Sequence, residues 1–364
     1  MLKQKEHFHG SDLEKIEAIY GIRKEDIVSY SANVNPLGLS ELVKQGICEH
    51  ISDLERYPDR EYTELRRLIS EYCGADMQNI LIGGGSTELI GLFVDVIAPK
   101  SALLLSPTYS EYERDIKMDH GNVTYFQLRP EEEFRLNLKL LTDAITKDTD
   151  LLVLCNPNNP TSSIISRGEL RAILEHCETT GTFVMVDETY MEFSPEYNEI
   201  EAITLTKHFK NLVVLRGVSK FFAAPGLRLG YAVCSNEEIR TRALSLQNPW
   251  SVNSLVDAAG RYMFRDTAYI SATRELMHSE QERIYKLLLT IPTIHPYKPH
   301  GNFILCHILN DVTAQDLFDA AIRKGMMIRN CDTFTSLDES YFRFCFMKPS
   351  DNDRLLDCIL PLLK

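Results

Sequence analysis

The sequence predicts an α/β protein with a large domain built on a mostly parallel sheet and a smaller α+β domain. From about residue 80, short apolar runs alternate with longer amphipathic segments, as in parallel strands covered by helices on both faces. From about residue 247, long helical patterns lead into two apolar strands and a last helix. The chain has 364 residues, which exceeds the roughly 100 to 200 residues of one domain.

The elements follow in order along the chain. A strand, a glycine-rich turn and a helix are predicted in NILIGGGSTELIGLFVDVI. Strands that end in turns are predicted in SALLLSPTY, DLLVLCNPNNPT, TFVMVDETY and NLVVLRGVSK, and a helix in ELRAILEHCETT. The strands GNFILCHIL and YFRFCF lie near the C-terminus. We therefore expect an N-terminal segment (1–30) that joins the small domain, a large domain (31–246) and a small domain (247–364).

Composition excludes several classes of function. Lys and Arg number 39 against 52 for Asp and Glu, a net charge of −13, which argues against a nucleic-acid or membrane-surface protein. No signal peptide or membrane span is visible, so we expect a cytoplasmic protein. The nine cysteines are scattered and form no C-x-x-C pair, which indicates reduced thiols. No spacing of His and Cys predicts a metal site.

In an open parallel sheet the ligand lies beyond the carboxyl ends of the strands. The residues at those ends are therefore candidates for the site: Gly84–Thr87, Pro107–Tyr109, Asn156–Thr161, Asp187–Tyr190 and Val218–Lys220.

Four polar residues at these strand ends predict a cofactor. Lys220 alone would read as a surface residue, and Asp187 alone as a helix cap. Together with Tyr190 and Asn159 they change that interpretation. A lysine that forms a Schiff base, an acid for a pyridinium nitrogen, and hydroxyl and amide donors for a phenolate oxygen are what pyridoxal phosphate requires.

The phosphate of that cofactor also needs donors. The turn GGGSTEL opens a helix, whose backbone N–H groups can hold a dianion, although any tight strand-to-helix turn favours such residues. The guanidinium of Arg228 would donate charge-assisted hydrogen bonds to the same phosphate. Tyr109 follows a strand and suits stacking on the ring, although a half-buried loop tyrosine is an equal alternative.

At this point the chain resembles the fold-type-I pyridoxal-phosphate enzymes of the histidinol-phosphate aminotransferase group. The resemblance rests on SANVNPLG, RYPDREY, SPTYSEY, NPNNPT, VDETYMEF, GLRLGY and the late arginines in MIRNC and YFRF, in the order of that group and over nearly the whole chain.

The resemblance implies a role for each matched residue. Lys220 corresponds to the Schiff-base lysine and Asp187 to the partner of the ring nitrogen, both catalytic together with Tyr190. Tyr190 and Asn159 would bind the ring hydroxyl, and Tyr109 would stack on the ring. The implied phosphate ligands are Gly85, Ser86, Thr87, Ser219, Arg228 and, from the neighbouring subunit of a homodimer, Tyr57. The implied substrate ligands are His9, Asn33, Asn159, Arg329 for a substrate phosphate and Arg343 for the carboxylate.

Three features are closer to the threonine-phosphate decarboxylase branch of the group, which serves cobalamin synthesis. They are HFHGSD, the run SANVNPLG with RYPD, and NPWSVN, which holds the single tryptophan. Three residues depart from the group: Ser162 replaces a usual glycine, Thr189 an alanine, and Gly217 a Ser or Thr. None removes a group that the cofactor requires.

We therefore expect a decarboxylase of a phosphorylated amino acid, with L-threonine O-3-phosphate as the substrate and aminopropanol phosphate as the product. The main alternative is an aminotransferase for histidinol phosphate or a related phosphorylated amine, because the same residues serve both reactions. A sensor domain fused to a DNA-binding module is the non-enzymatic alternative. The acidic charge and the lack of room for a helix-turn-helix at the N-terminus argue against it.

Overall fold

A computed structural model describes residue 10 and residues 12–364 of the chain. The strands in this part are β1 (Val28–Ser29), β2 (Ile80–Gly83), β3 (Ser101–Ser106), β4 (Asn122–Gln127), β5 (Leu151–Cys155), β6 (Phe183–Asp187), β7 (Leu212–Gly217), β8 (Gly230–Cys234), β9 (Ile294–Pro296), β10 (Phe303–Ile308), β11 (Met326–Met327), β12 (Arg329–Asn330) and β13 (Tyr341–Cys345).

The helices of the same part are α1 (Leu13–Tyr20), α2 (Glu41–Glu49), α3 (Thr63–Cys73), α4 (Ser86–Ile97), α5 (Glu111–Met118), α6 (Leu138–Ala144), α7 (Arg167–Thr180), α8 (Tyr197–Ile200), α9 (Glu237–Leu246), α10 (Ser254–Met263), α11 (Thr267–Leu288), α12 (Ala314–Ile322) and α13 (Pro349–Ile359). No described helix is long and apolar enough to cross a membrane.

The large sheet has seven strands in the order β2-β8-β7-β6-β5-β3-β4. Only β8 runs antiparallel to its neighbours. Side chains of β5 alternate between two cores: Leu152 and Leu154 pack with residues of α7, whereas Leu151 and Val153 pack with residues of α4 and α5. Because helices cover both faces, the inner strands need continuous apolar runs, which is the pattern from which they were predicted.

A second, antiparallel sheet has the order β12-β13-β10-β9. The N-terminal segment reaches this part of the molecule, because β1 pairs in parallel with β11 through Val28 and Met326. Helix α12 packs against β11, β12 and α13. The α/β fold with a large, mostly parallel sheet is confirmed, whereas the domain boundaries at residues 30 and 246 stay a prediction.

Two strands of the large sheet were not predicted. The edge strand β4 has the sequence NVTYFQ and is only partly buried, so it lacks the apolar run that revealed its neighbours. Strand β8 is fully buried but has only five residues and directly follows the turn that carries Arg228. Its antiparallel course places that turn beside the N-terminus of α4, because Gly230 pairs with Gly83 and Gly217.

Candidate active site

One cavity of about 750 Å³ opens at the carboxyl ends of β5, β6 and β7, beside the N-terminus of α4. Most of the residues predicted from the sequence line it: Asn33, Ser86, Thr87, Tyr109, Asn159, Asp187, Tyr190, Ser219, Lys220, Arg228, Arg329 and Arg343. The rule that ligands lie beyond the carboxyl ends of parallel strands therefore located the cavity correctly.

Lys220 lies three residues beyond β7, with its side chain half-buried in the cavity. Its Nζ donates a hydrogen bond of 2.6 Å to the carbonyl oxygen of Ala32, which follows β1. Burial and the nearby charge of Arg343 lower the pKa of the Lys220 amine to about 8. A lysine with this pKa is partly neutral near physiological pH, as a nucleophilic amine must be.

Asp187 is the last residue of β6 and is buried. Its Oδ1 accepts hydrogen bonds from the Thr189 hydroxyl at 2.6 Å and the Thr189 N–H at 2.9 Å. Its Oδ2 accepts one from the Tyr112 hydroxyl at 2.7 Å. Burial raises the pKa of the carboxyl, and these three donors oppose that rise. The carboxylate is thus held in one orientation inside the cavity, where it can pair with a cation.

The N-terminus of α4 is packed closely against β8. Gly85 precedes the helix with φ of 102°, a conformation that favours glycine. A Cβ atom on Gly230 would lie 2.6 Å from the backbone of Gly85, and a Cβ on Gly85 would lie 2.5 Å from Arg228 Nη2. The two glycines therefore let the Arg228 guanidinium approach the first N–H groups of the helix, beside Ser86.

Aromatic and amide side chains form the next part of the wall. Tyr109 packs edge-on against Tyr112, with ring centroids 5.5 Å apart. The Tyr190 hydroxyl accepts a hydrogen bond of 3.4 Å from Asn33 Nδ2, and Asn33 Oδ1 is buried without a hydrogen-bond partner among the residues that the structure describes. Such a buried polar atom is available to a ligand.

Two arginines lie on the side of the cavity formed by the small sheet. Arg329 of β12 and Arg343 of β13 are cross-strand partners, so their side chains lie on the same face of this sheet. Arg343 is buried and donates to Asn159 Oδ1 and, at 2.9 Å, to the carbonyl oxygen of Ser31. Arg343 thus faces the cavity, as predicted from its place between Phe342 and Phe344.

Two predicted residues among those described do not line the cavity of this chain. Gly85 shapes it from behind, through its contact with Arg228. Tyr57 is 80% exposed and packs on Trp250, with ring centroids 4.7 Å apart, away from the cavity of its own chain. A third predicted residue, His9, lies outside the described residues.

Sequence reasoning assigned no role to three residues of this site. Tyr112 and Thr189 fix Asp187, and Phe334 lies beside both arginines. Tyr112 carried a signal, because it closes the motif SPTYSEY one helical turn after Tyr109. Phe334 carried none, because nothing in the sequence shows that its loop folds back onto β12 and β13.

The residues present fit pyridoxal phosphate. The cavity offers an amine at Lys220 and a buried carboxylate at Asp187, and the glycines at positions 85 and 230 leave room for an anion at the start of α4. A helix N-terminus with an arginine beside it suits a phosphate. Among the described residues, no group of three or more His, Cys, Asp or Glu side chains could hold a metal ion.

Comparison with known proteins agrees with this fit. The family described as "Aminotransferase class I and II" matches residues 25–359, and the chain belongs to that family. The threonine-phosphate decarboxylase of Salmonella typhimurium is 32% identical over 355 residues, which cover 98% of this chain and 96% of the relative.

Solved structures extend the comparison. The histidinol-phosphate aminotransferase from Clostridium acetobutylicum has a TM-score of 0.86 and 29% identity, covering 92% of this chain and 98% of that one. The same enzyme from Sinorhizobium meliloti, solved in complex with pyridoxal-5'-phosphate, has a TM-score of 0.85 at 19% identity and covers 100% of this chain and 99% of that one. The predictions of a fold-type-I enzyme and of its cofactor are confirmed.

Proposed function

We propose that this enzyme decarboxylates a phosphorylated amino acid, with L-threonine O-3-phosphate as the substrate and aminopropanol phosphate as the product. The observation that carries the proposal is the pair Arg329 and Arg343 on one face of the small sheet, because two cations suit a substrate with a phosphate and an α-carboxylate. The name of the 32% identical relative supports the same reaction.

In this proposal the large-domain residues hold the cofactor, which supplies an electron sink for the bond that breaks at the substrate Cα. Lys220 would attach it, Asp187 would pair with its ring nitrogen, and Tyr109 would stack on its ring. Tyr190 and Asn159 would bind the ring hydroxyl. The proposed phosphate ligands are Gly85, Ser86, Thr87, Ser219 and Arg228. Asn159 Oδ1 is occupied by Arg343, which leaves its N–H donors for the hydroxyl.

Substrate orientation then chooses the reaction. We assign the α-carboxylate to Arg343 and the phosphate to Arg329, with Asn33 and His9 assisting at the phosphate. If these contacts place the bond between Cα and the carboxylate where it can break, carbon dioxide would leave and the bonding electrons would stay at Cα. The Lys220 Nζ, with its pKa lowered to about 8, can then deliver a proton to Cα and complete the amine product.

An aminotransferase for histidinol phosphate is the second candidate, favoured by the 29% identical structure of that name. Here Lys220 would take a proton from Cα instead. Histidinol phosphate itself has no carboxylate, so Arg343 would bind an anion only when the second substrate of an aminotransferase, an amino or keto acid, occupies the cavity. A single substrate with a phosphate and an α-carboxylate engages both arginines at once, which is the reason for preferring a phosphorylated amino acid.

The decisive experiment incubates the holoenzyme with O-phospho-L-threonine and follows both products. Release of carbon dioxide and aminopropanol phosphate in equal amounts is the expected result. The Lys220→Ala variant serves as the control for reaction outside the site. A keto product formed only with an added amino acceptor, without carbon dioxide, would show an aminotransferase instead.

We further propose a homodimer, in which Tyr57 reaches the cofactor phosphate of the partner subunit. Its 80% exposure and its packing on Trp250 support an aromatic surface that a second copy would cover. Light scattering should give twice the chain mass of 41.6 kDa. A fully active monomer would contradict this proposal. A cytoplasmic location also stays a prediction, which cell fractionation would test.

A further inference from the structure

Phe334 lies beside both arginines of the small sheet and lines the cavity. The guanidinium carbon of Arg329 is 5.3 Å from the centre of the Phe334 ring, and that of Arg343 is 5.9 Å away. Both distances are within the range at which a cation is attracted to an aromatic face. One ring therefore contacts both cations of the proposed substrate site.

Those two cations disfavour each other. Arg329 and Arg343 are direct cross-strand partners, a position in which like charges are destabilising. Burial lowers the pKa of Arg329, and the charge of Arg343 lowers it further. The charges of Asp332 and Asp12 oppose this lowering at Arg329. Contacts around both guanidinium groups therefore contribute to holding the two charges side by side before a substrate arrives.

Phe334 is a neighbour that both arginines share, in addition to the separate contacts that each of them makes. Arg343 is fixed by Asn159 and by the ring of Phe303, 5.1 Å from its guanidinium carbon. Arg329 donates to Thr333 Oγ1 at 2.8 Å. The Phe334 ring attracts both guanidinium charges, and it also packs beside both guanidinium groups.

The backbone that carries Phe334 is anchored at both ends. The Phe334 N–H donates to the carbonyl of Cys331 at 3.0 Å. On the other side, the Ser106 hydroxyl at the end of β3 donates to the Thr335 carbonyl at 3.2 Å and lies 2.7 Å from the Ser336 hydroxyl. The loop is thus tied to the small sheet and to the large sheet, which fixes the position of the ring.

We propose that Phe334 is a positioning residue that holds Arg329 and Arg343 as two separate anion sites, so that the cavity selects substrates carrying two anionic groups on one short carbon chain. This inference rests on the proposed function and deepens it, because it explains how phosphorylated and unphosphorylated amino acids are told apart. Without the ring, either guanidinium could turn toward the anion of the other.

The test compares two variants of the holoenzyme. Phe334→Leu removes the aromatic face and keeps apolar bulk, whereas Phe334→Tyr keeps the face and is the matched control. The measurements are KM and kcat for O-phospho-L-threonine, and the dissociation constants of that compound and of L-threonine from the change in cofactor absorbance.

We expect Phe334→Leu to weaken binding of the phosphorylated compound about tenfold and that of L-threonine much less, so that KM changes more than kcat. Phe334→Tyr should keep the wild-type preference for the phosphorylated compound over L-threonine. Equal weakening for both compounds in Phe334→Leu, or the same loss in Phe334→Tyr, would overturn the proposal, because either result would indicate general packing.

A second measurement separates this inference from the proposed reaction. If the wild type neither binds nor decarboxylates O-phospho-L-threonine, the proposed function fails. Titration with inorganic phosphate then tests Phe334 alone. Weaker phosphate binding in Phe334→Leu and in Arg329→Ala, but not in Phe334→Tyr, supports the positioning role. Unchanged phosphate binding in Phe334→Leu rejects it.

Discussion

The two walls of the cavity are built in different ways. The cofactor-side wall, formed by Ser86, Asp187, Ser219 and Lys220, comes from the ends of neighbouring elements of one sheet. The substrate-side wall is formed by Arg329 and Arg343 of the small sheet, by Phe334 of the loop between their strands, and by Asn33, which follows β1. Its parts meet only because segments distant in the chain pack together.

Because of this difference, we expect the cofactor-side wall to determine turnover and the substrate-side wall to determine which substrate is used. The register of β5, β6 and β7 fixes the cofactor-side groups whatever the substrate, which suits residues shared by decarboxylases and aminotransferases. The substrate-side groups depend on the loop that carries Phe334 and on segment 31–33, where changes alter substrate choice without disturbing the sheet. Substitutions in the first wall should therefore stop turnover, and those in the second should change which substrate is used.

The largest effect is expected for Lys220→Ala. Loss of the amine should abolish turnover and the visible absorbance of the lysine-bound cofactor, because no other described amine lines the cavity. Circular dichroism should remain that of the wild type, since the side chain is only half-buried. If borohydride still fixed the cofactor to the same peptide in this variant, the assignment of Lys220 would be wrong.

Asp187→Asn should follow, with turnover reduced by about 10²- to 10³-fold, the usual effect of removing one preorganised electrostatic group. The amide still fits beside Tyr112 and Thr189, so cofactor binding should persist. An amide cannot keep a ring nitrogen protonated. Stopped-flow single turnovers would measure the loss, and a rate near the wild type would assign this role to another acid.

The second wall should respond differently. Arg329→Ala should lower kcat/KM for O-phospho-L-threonine. The loss should correspond to an activation free energy higher by about 1.5 to 3 kcal/mol, the strength of a charge-assisted hydrogen bond. The kcat/KM for L-threonine should be nearly unchanged. Arg343→Ala should weaken both substrates alike, because both carry the α-carboxylate. Equal losses on the two substrates in Arg329→Ala would remove the main reason for a phosphorylated substrate.

The smallest effects are expected at Ser162, which is hydrogen-bonded to the backbone of His300 and Gly301. Ser162 is buried with φ of 60°, and its Oγ accepts hydrogen bonds from the N–H groups of His300 at 2.9 Å and Gly301 at 2.8 Å. Ser162→Ala keeps the strained backbone and leaves the N–H groups of His300 and Gly301 without their acceptor. The free energy of unfolding should therefore fall by about 2 kcal/mol.

Ser162→Gly is the matched control at this position. It loses the same hydrogen bonds but relieves about 1 kcal/mol of left-handed strain, so its free energy of unfolding should fall less than that of Ser162→Ala. Urea denaturation measures both. A glycine variant less stable than the alanine variant would mean that the conformation of residue 162 is not strained.

Much of the cofactor-side wall could be predicted, because each residue follows an apolar run and the strand ends of a parallel sheet share one edge. Thr189 appeared only as a departure from the related group. Its use became clear from the two hydrogen bonds to Asp187, since a hydroxyl at this position helps to keep the buried carboxylate ionised.

The substrate-side wall could be predicted only in part. Arg343 was found from the alternation of YFRFCF, and Arg329 from resemblance. Their direct pairing depends on the register of β12 and β13, and β12 has only two residues, too few to show a period. The contacts of Phe334 depend on a loop that crosses between sheets, for which no local pattern exists.

Segment 31–33 ties the beginning of the chain to its end. The carbonyl of Ala32 accepts from Lys220, 188 residues later; that of Asn33 accepts from Asn302, 269 residues later; and that of Ser31 accepts from Arg343, 312 residues later. During synthesis the ribosome makes this segment 312 residues before its last partner, Arg343. The large sheet can form while the chain is still growing, whereas the substrate-side wall must wait for Arg343. A nascent chain can therefore acquire the groups that bind the cofactor before it can distinguish one substrate from another.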